Sequence, residues 1–156
     1  MILQYHMLRG AEFPPVRANP SDAGLDLRWT PSEAAESLLK IEPGESVLVP
    51  TGCTFGIPHG YMMEIKNKSS VAHKRQLLVG ACVVDSGYKG EVFVNLHNVG
   101  SEVQILEPGD KVAQAVVLPA IPIRFLASED PNIYDWYPIT ISERRDGALG
   151  STDGTS

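Results

Sequence analysis

Short runs of β-forming residues, separated by strong turn signals, dominate the middle of this chain. At residues 42–45 and again at 107–110, a Glu-Pro-Gly-acid tetrapeptide places Pro and Gly at the centre of a predicted type II turn. Many of the runs are rich in Val and Ile, and some alternate with period 2. The predicted strands are Ser46–Val49, Cys53–Ile57, Tyr61–Lys66, Gln76–Val84, Glu91–His97, Glu102–Leu106, Lys111–Leu118, Ile121–Leu126 and Trp136–Ile141. This pattern predicts an all-β sandwich or jelly-roll barrel.

Helical signals are confined to two short stretches. The Thr-Pro-Ser-Glu sequence at Thr30–Glu33 fits an N-cap, a first-turn proline and a capping-box Glu, and it predicts a short helix through Ala34–Leu39. A second helical turn is expected after Ser69. The last stretch, Ser142–Ser156, is rich in Gly, Ser and Thr, which is typical of a frayed, solvated tail. Since no internal repeat or linker divides the rest, we expect one domain.

The composition excludes several classes of protein. The 156 residues include 13 Lys+Arg and 19 Asp+Glu, and the net charge of −6 is opposite to that of a typical duplex nucleic-acid binder or polybasic membrane protein. Two cysteines, Cys53 and Cys82, are too few for a disulfide scaffold or a Cys-based zinc site. No apolar run approaches the ~18 residues of a membrane span, and residues 1–10 lack the apolar stretch of a signal peptide. We therefore expect a soluble, cytoplasmic protein that binds neither nucleic acid nor membranes.

A local concentration of positive charge interrupts this acidic background between Ile65 and Val84. The segment contains no acid, and its cations are Lys66, Lys68, Lys74 and Arg75. Lys68 stands directly before Ser69 and Ser70, so an ammonium group, two hydroxyls and the N–H groups of a turn come together. These are the donors that a phosphate group needs. The segment is either a phosphate site or an ordinary solvated face.

A carboxylate stands where an apolar run meets a glycine-flanked turn. Asp85 follows the uncharged segment Leu77–Val84 and precedes Gly87 and Gly90. The end of a strand can hold a carboxylate rigidly and partly desolvated, which suits a general base. The alternative is an Asp that caps a turn beside Gly.

The common metal-binding and nucleotide-binding patterns are missing from the sequence. The four histidines are scattered, and there is no HExxH, CxxC, GxSxG, Walker or GxGxxG motif. Two weaker signals are Ala23–Leu27 and Gly109–Gln114, each of which sets a polar group among small and apolar residues. A hard cation held mainly by substrate phosphates would leave such a faint pattern.

Taken in order, five segments of the chain resemble the five motifs of the trimeric deoxyuridine triphosphatases, the dUTPases. The resemblance spans roughly residues 20 to 153, and five motifs in the right order and spacing are highly specific. The matching segments are Ala23–Leu27, Asn67–Ala72, Gly80–Gly90, Gly109–Gln114 and Arg144–Thr152.

This resemblance implies a distorted jelly-roll barrel over residues 1–141, with residues 142–156 as a flexible C-terminal lid segment. It also implies a homotrimer whose active sites are shared between the subunits. The implied reaction is hydrolysis of dUTP to dUMP and pyrophosphate, with Mg²⁺ on the triphosphate. Such an enzyme limits the incorporation of uracil into DNA and supplies dUMP for dTMP synthesis.

The resemblance further assigns roles to individual residues. Asp85 would activate the water that attacks the α-phosphorus, Asp26 would act on Mg²⁺ through its water shell, and Tyr88 would leave no room for a ribose 2′-hydroxyl. The uracil slot would be formed by the main chain at Cys82, Val83, Val84 and Phe93. The phosphate oxygens would be held by Lys68, Ser69, Ser70 and Gln114. The lid would contribute Arg144, Leu149, Gly150 and Ser151.

The chain departs from the family pattern at several positions. Lys68 stands where Arg is usual, which keeps the charge but loses the bidentate fork of a guanidinium. Val79 stands where some members place an Asn that contacts uracil, and Cys82 where Gly or another small residue is common. Leu149 replaces a Phe and offers apolar cover without an aromatic face, and Asp153 replaces the last Gly of the fifth motif.

Two other functions are considered beside dUTP hydrolysis. The dCTP deaminases share this fold and use a Glu on the strand after the turn; the matching residue here is Asn95, which cannot accept and return a proton. A non-catalytic regulatory or binding protein on this fold would be expected to have lost Asp85 or the Gly-Ser-Thr of the tail, and both are present. A second, partner-binding role would be sought in the long segment Ala127–Tyr137.

Overall fold

Antiparallel strands are the main regular structure in the part of the chain that the structure, a computed structural model, describes: residues 2–8, 10–31, 37–131 and 133. Residues 1–122 belong to one compact unit. Its strands are β1 (Gln4–Met7), β2 (Gly24–Arg28), β3 (Leu39–Ile41), β4 (Ser46–Pro50), β5 (Cys53–Gly56), β6 (Tyr61–Lys66), β7 (Leu77–Val79), β8 (Val83–Asp85), β9 (Phe93–Asn98), β10 (Gln104–Leu106) and β11 (Lys111–Pro119). The helix α1 (Ser69–Arg75) lies between β6 and β7.

The strands form four small sheets in which every pair is antiparallel. The largest has the order β2-β11-β6-β8, and a second has the order β4-β9-β7. Two further sheets contain two strands each, β1 with β5 and β3 with β10. Since many of these neighbours are far apart in the sequence, the chain crosses repeatedly between sheets, and the predicted all-β fold is confirmed.

The core is built from the inward faces of the two larger sheets, with further buried residues from the two small sheets and from α1. Strand β9 shows the principle, because Val94 and Leu96 are fully buried while Phe93, Asn95 and His97 face the other way. This is the period-2 alternation of a half-buried strand. The core face of β9 therefore stabilises the fold by apolar burial, and its opposite face is available for polar contacts.

Both predicted Pro-Gly turns are present. In the first, Glu45 N donates to Glu42 O and Gly44 has φ +78°; in the second, Asp110 N donates to Glu107 O and Gly109 has φ +87°. A positive φ at the third turn residue is what a type II turn requires and what Gly provides without strain. These turns connect β3 to β4 and β10 to β11.

The predicted first helix is wrong where the structure describes it. Residues 37 and 38 are not helical, and Leu39 begins β3, which pairs with β10 and buries Ile41 completely. A short isolated helix is marginal, so pairing with another strand overrides the local capping signal. The centre of the predicted helix, residues 32–36, lies outside the described residues. The second predicted helical turn is confirmed as α1.

The strand predictions also failed at other points. The run Gln76–Val84 is broken into β7 and β8, because residues 80–82 leave the ladder. Strands β1, β2 and β3 were not predicted, since β1 is mostly polar and β2 carries a charged residue, Asp26, in its middle.

The second unit, residues 123–156, is described only at residues 123–131 and 133. The predicted strand Ile121–Leu126 is wrong, because residues 121–126 carry no strand and Phe125 and Leu126 are largely exposed. Pro122 within that run has no N–H to donate to a ladder. The predicted strand Trp136–Ile141 and the tail Ser142–Ser156 lie outside the described residues.

Candidate active site

Six of the predicted site residues line one cavity of about 260 Å³ beside β8. They are Cys82, Val83, Val84, Asp85, Tyr88 and Phe93. The cavity lies where β8 pairs with β6, and its wall includes Ile65 from β6 and Leu48 from β4. The lining is mostly apolar and includes the β7–β8 connection and two acidic residues, Asp85 and Glu91, of which Glu91 is bonded to Gly52 N. Such a pocket suits a flat, partly polar group.

Asp85 ends β8 and stands at the start of the turn that leads to β9. Its carbonyl accepts a hydrogen bond from Tyr88 N at 3.1 Å, which closes the turn. Its side chain is exposed, and among the described residues its carboxylate has no hydrogen bond or ion pair. The partial desolvation expected of this carboxylate is therefore not found in the single chain, because nothing described covers the mouth of the cavity.

Tyr88 is held over the cavity by the same turn. Its hydroxyl donates to Glu91 O at 2.8 Å, and the ring is about half exposed. A Cβ at Gly90 would lie 2.6 Å from the Tyr88 hydroxyl, so Gly90 lets the ring fold back over its own turn. Glu91 in turn accepts a hydrogen bond from Gly52 N at 2.7 Å and anchors the end of the turn. The position of the tyrosine is thus set by neighbouring main chain.

A separate charged cluster surrounds Asp26 in the middle of β2. This carboxylate is buried; Lys68 Nζ donates to its Oδ1 at 2.8 Å, and Lys111 Nζ lies 2.7 Å from its Oδ2. Burial raises the pKa of the Asp26 carboxyl, but the hydrogen bonds and charges of Lys111 and Lys68 outweigh that effect and hold the pKa below its usual value. The group is therefore ionised at neutral pH. We call these three residues the Asp26 cluster.

The other predicted phosphate-binding residues lie next to the Asp26 cluster. Gln114 pairs with Asp26 across β11 and β2 and donates from Nε2 to Asn67 O at 2.9 Å. Ser69 and Ser70 open α1 directly after Lys68, and both are exposed. A Cβ at Gly24 would approach the Gln114 amide within 2.7 Å, which explains a glycine at that point of the first motif.

The structure does not bring these two groups of residues together within one chain. Asp85 pairs with Met62 near the start of β6, whereas Gln114 pairs with Lys66 at its end. Four residues of strand span about 13 Å, and β8 and β11 also lie on opposite sides of β6. The cavity beside β8 and the Asp26 cluster are thus separate surfaces of the single chain.

Sequence reasoning missed several residues that shape these surfaces. Lys111 lies in the fourth motif segment, Gly109–Gln114, but has no predicted role, because the pairing of β11 with the strand of Asp26 is visible only in the structure. Asn95 was considered only as a deaminase position, yet its side chain bonds to the β7–β8 connection. Arg75 pairs with Asp110 at 3.0 Å and ties α1 to the turn before β11. The predicted lid residues Arg144, Leu149, Gly150 and Ser151 lie outside the described residues.

Neither a metal centre nor a membrane span is evident in the described part of the chain. Its residues contain no group of three or more His, Cys, Asp or Glu side chains that could hold a metal ion. None of its helices has the length and apolar character needed to cross a bilayer.

The comparison with protein families identifies this chain. The dUTPase family profile matches residues 13–131. Deoxyuridine 5′-triphosphate nucleotidohydrolase of Laribacter hongkongensis is 36% identical over 147 residues, which cover 92% of this chain and 91% of the relative. The enzyme of the same name from Bordetella pertussis is 37% identical over 148 residues, with 92% and 91% covered. The chain therefore belongs to the dUTPase family.

Solved structures show the same fold at lower sequence identity. A point mutant of Staphylococcus bacteriophage 80alpha dUTPase with dUpNHpp matches with a TM-score of 0.77 at 23% identity, covering 97% of this chain and 98% of that one. The dUTPase from phage phi11 of S. aureus matches with a TM-score of 0.71 at 24% identity, covering 83% and 97%. These similarities confirm the jelly-roll-like fold.

Proposed function

We propose that this chain hydrolyses dUTP to dUMP and pyrophosphate. The observation that carries the proposal is the cavity beside β8. Its lining includes the six residues that the resemblance assigns to the base, the sugar and the attacking water, and one of them, Asp85, has a carboxylate without a partner among the described residues. Membership of the dUTPase family and the names of the relatives support the same reaction. Since nucleoside triphosphates are made and used inside the cell, this reaction would place the protein in the cytoplasm.

The cavity would hold the deoxyuridine part of the substrate. Main-chain N–H and C=O groups at Cys82, Val83 and Val84 and near Phe93 would pair with the edge of uracil. Tyr88, whose ring is fixed by its bond to Glu91 O, would pack against the deoxyribose. A ribose would add a 2′-hydroxyl against that ring, so the pocket would favour the deoxynucleotide by sterics.

Asp85 would be the general base. Its carboxylate would take a proton from a water while the water oxygen forms a bond to the α-phosphorus and the bond from that phosphorus to the bridging oxygen breaks. Pyrophosphate would leave with the electron pair of the broken bond. A carboxylate with no competing partner among the described residues is suited to this role.

The Asp26 cluster and its neighbours would bind the triphosphate. Lys68 and Gln114, with the hydroxyls of Ser69 and Ser70, present donors to phosphate oxygens. A Mg²⁺ ion bound with the substrate would neutralise phosphate charge. The donor set fits an ion held mainly by phosphate oxygens and water, because the one carboxylate of the cluster, Asp26, is buried with both oxygens paired to lysines and would act only by accepting hydrogen bonds from the water shell.

The active unit would be a homotrimer with shared sites. The residues of β6 that pair with Asp85 and with Gln114 are about 13 Å apart along that strand. This separation supports the trimer, because the two side chains of one chain are too far apart to act on the same α-phosphate. If the cavity of one subunit faces the Asp26 cluster of the next, the two surfaces combine. Sedimentation of an active species near three times 16.9 kDa is the expected result, and an active monomer would refute the trimer.

The C-terminal residues would cover the bound triphosphate. Arg144 would contact phosphate oxygens, the segment Gly150–Ser151 would follow the chain of phosphates, and Leu149 would shield the base. Deletion of residues 144–156 is expected to abolish most activity, Leu149→Ala to reduce kcat/KM moderately, and Leu149→Phe to lower KM, since base–aromatic stacking contributes about 1–3 kcal/mol. Unchanged kcat/KM in the deletion would show that the tail is only a solvated end.

The experiment that tests the reaction is a substrate panel. The protein would be incubated with Mg²⁺ and each deoxynucleoside triphosphate, and pyrophosphate would be measured. Release from dUTP alone, lost on addition of EDTA, is the expected result. Ammonia from dCTP would instead indicate a deaminase, and tight dUTP binding without pyrophosphate would indicate a non-catalytic binding protein.

A further inference from the structure

The wall of the nucleoside cavity contains a short segment that belongs to no strand. Residues 80–82 connect β7 to β8, and Ala81 and Cys82 line the cavity. On one side, Ile65 N of β6 donates to Cys82 O at 2.7 Å. On the other side, Gly80 N donates to Asn95 O of β9 at 2.9 Å. We call residues 80–82 the slot wall.

One side chain completes the attachment of the slot wall. Asn95 lies on the outward face of β9, and its Oδ1 accepts a hydrogen bond from Ala81 N at 3.2 Å. No other side chain in the described ranges hydrogen-bonds to the main chain of residues 80–82. Without the Asn95 oxygen, the Ala81 N–H would have no partner from the ladder, because this residue lies between two strands.

The orientation of the Asn95 amide is itself fixed. Its Nδ2 donates to Ser46 Oγ at 2.9 Å, and its Oδ1 lies 2.9 Å from His97 Nε2. Since the Ala81 N–H requires an acceptor, the atom that faces it is the oxygen, and His97 must present its proton on Nε2. The Asn95 Nδ2 also donates to Val47 O at 3.4 Å. The amide is therefore positioned by two residues of β4 and one of β9 before any ligand enters.

The close packing of this cluster explains the glycine at the start of the slot wall. A Cβ on Gly80 would overlap both Asn95 Oδ1 and His97 Nε2. The main chain at Gly80 thus lies directly against the amide and the imidazole. The slot wall has little room to shift while these two side chains keep their positions.

We propose that Asn95 is a positioning residue for the base-binding wall of the active site. It acts through the Ala81 N–H and sets where the main-chain groups of Ala81 and Cys82 stand against the base. This inference rests on the proposed function, because it assigns the wall to the base of dUTP. Asn95 touches neither the Asp85 carboxylate nor the Asp26 cluster, so its loss affects base affinity and leaves the chemical step unchanged.

The test compares Asn95→Ala with a conservative variant and a matched control. Asn95→Ala is expected to raise KM for dUTP and Kd for dUMP about fivefold, to leave kcat within twofold, and to leave the affinity for pyrophosphate unchanged. Hydrogen exchange of the Ala81 amide should quicken while that of Val94 stays slow.

Asn95→Asp retains an acceptor for Ala81 N–H, and Ser46 can donate to it, so it should restore most of the dUMP affinity. Ser46→Ala removes only the hydrogen bond between Asn95 Nδ2 and Ser46 Oγ, and it should change the Kd for dUMP by less than twofold.

The outcomes separate this inference from the proposed function. If wild type hydrolyses dUTP and Asn95→Ala keeps its KM and its Ala81 exchange rate, the positioning role is overturned and the function stands. Equal losses in Asn95→Ala and Asn95→Asp, or a fall in kcat alone, would also overturn it. If wild type releases no pyrophosphate from dUTP, the proposed function fails. Should Asn95→Ala not fold, Asn95→Ser, which is too short to reach Ala81 N, serves in its place with the same expected KM change.

Discussion

The cavity beside β8 and the Asp26 cluster are built on different physical principles, although both border β6. The cavity is formed by strand pairing and main-chain hydrogen bonds, and its lining is mostly apolar. Of its two carboxylates, Glu91 is bonded to Gly52 N, whereas Asp85 is exposed and unpaired among the described residues. The cluster is formed around a buried carboxylate, Asp26, whose charge is balanced by two lysines. The cavity is thus shaped before a ligand binds, whereas the cluster holds its cations in an internal network.

In the proposed reaction, the cavity would therefore recognise the substrate by its shape, and the Asp26 cluster would recognise it by its charge. Apolar walls and fixed main chain select a base and a sugar by fit, with little electrostatic cost. The lysines at Asp26 are already paired, so a phosphate must compete with Asp26 for Lys68 or share it. We therefore expect changes in the cavity to alter selectivity and chemistry, and changes in the cluster to alter stability and phosphate affinity.

The largest effect is expected from Asp85. Asp85→Asn preserves the shape of the side chain but removes the proton acceptor, so kcat should fall by about 10²–10⁴ while dUMP affinity stays near that of wild type. Rapid-quench measurement of pyrophosphate and a separate binding titration check the two parts. Glu102→Gln, which removes an exposed carboxylate before β10, is the matched control and should retain full activity. Retention of more than half of kcat in Asp85→Asn would contradict the assignment.

Sugar selection by Tyr88 comes next in size. Tyr88→Ala opens the side of the cavity, and the preference for dUTP over UTP, measured as a ratio of kcat/KM values, should narrow about tenfold or more. Tyr88→Phe keeps the ring and loses only the hydrogen bond to Glu91 O, so it should retain most of the preference. Equal discrimination by wild type and Tyr88→Ala would show that the ring does not select the sugar.

A smaller effect, on stability, is expected at Asp26. Asp26→Asn removes the charge that holds Lys68 and Lys111, and hydrogen bonds to a charged group contribute about 1.5–3 kcal/mol. We expect the free energy of unfolding at pH 7 to fall by about 2 kcal/mol in urea titrations. Glu12→Gln, which changes an exposed carboxylate with no hydrogen bond or ion pair among the described residues, is the control. An unchanged free energy of unfolding would mean that the favourable energy of the ion pairs only equals the cost of removing their charged groups from water.

The pH dependence of the same variant gives an independent test. Since the folded-state pKa of Asp26 is lowered from 3.8, the folded protein binds this proton less readily than the unfolded chain. The stability that Asp26 contributes is fully present above pH 3.8 and is lost as the pH falls from there through the lower folded-state value. Wild type should lose stability more steeply than Asp26→Asn in that acidic range. Parallel curves would contradict the lowered pKa.

Much of the fold could be predicted because local pattern and final burial agree. In β9 the apolar residues Val94 and Leu96 face the core as their alternation predicts, and the Pro-Gly turns at Gly44 and Gly109 form as expected. Prediction failed where long-range pairing decides. Leu39 begins β3 and pairs with β10 instead of extending a helix. Strand β2 has a charged residue, Asp26, in its middle.

The site shows the same division. The resemblance assigned Cys82–Asp85 and Tyr88 to neighbouring parts of one site, and the structure places them around one cavity, because they are close in sequence and the turn after β8 keeps them together. Lys111 and Asn95 received no role because their partners, Asp26 and Ala81, come from other strands, and only the pairing of those strands shows the contact.

The smallest expected effect concerns the two thiols, which report on accessibility without altering the fold. Cys82 lines the cavity and is partly exposed, whereas Cys53 is buried in β5. Burial, with a smaller contribution from the charge of Glu91, raises the pKa of the Cys53 thiol to about 11. At pH 8 only about one part in a thousand of Cys53 is then the reactive thiolate.

Iodoacetamide at pH 8 should therefore label Cys82 well before Cys53, as measured by peptide mass mapping over time. Saturating dUMP should slow the labelling of Cys82 severalfold, because the base would lie against the wall that carries it, and should leave Cys53 unchanged. Cys82→Ser provides the control that assigns the fast phase. Pyrophosphate, which would occupy only the phosphate-binding surface, should give no protection. Protection by pyrophosphate as strong as by dUMP would show that the cavity and the Asp26 cluster respond as one surface, and the distinction between them would fail.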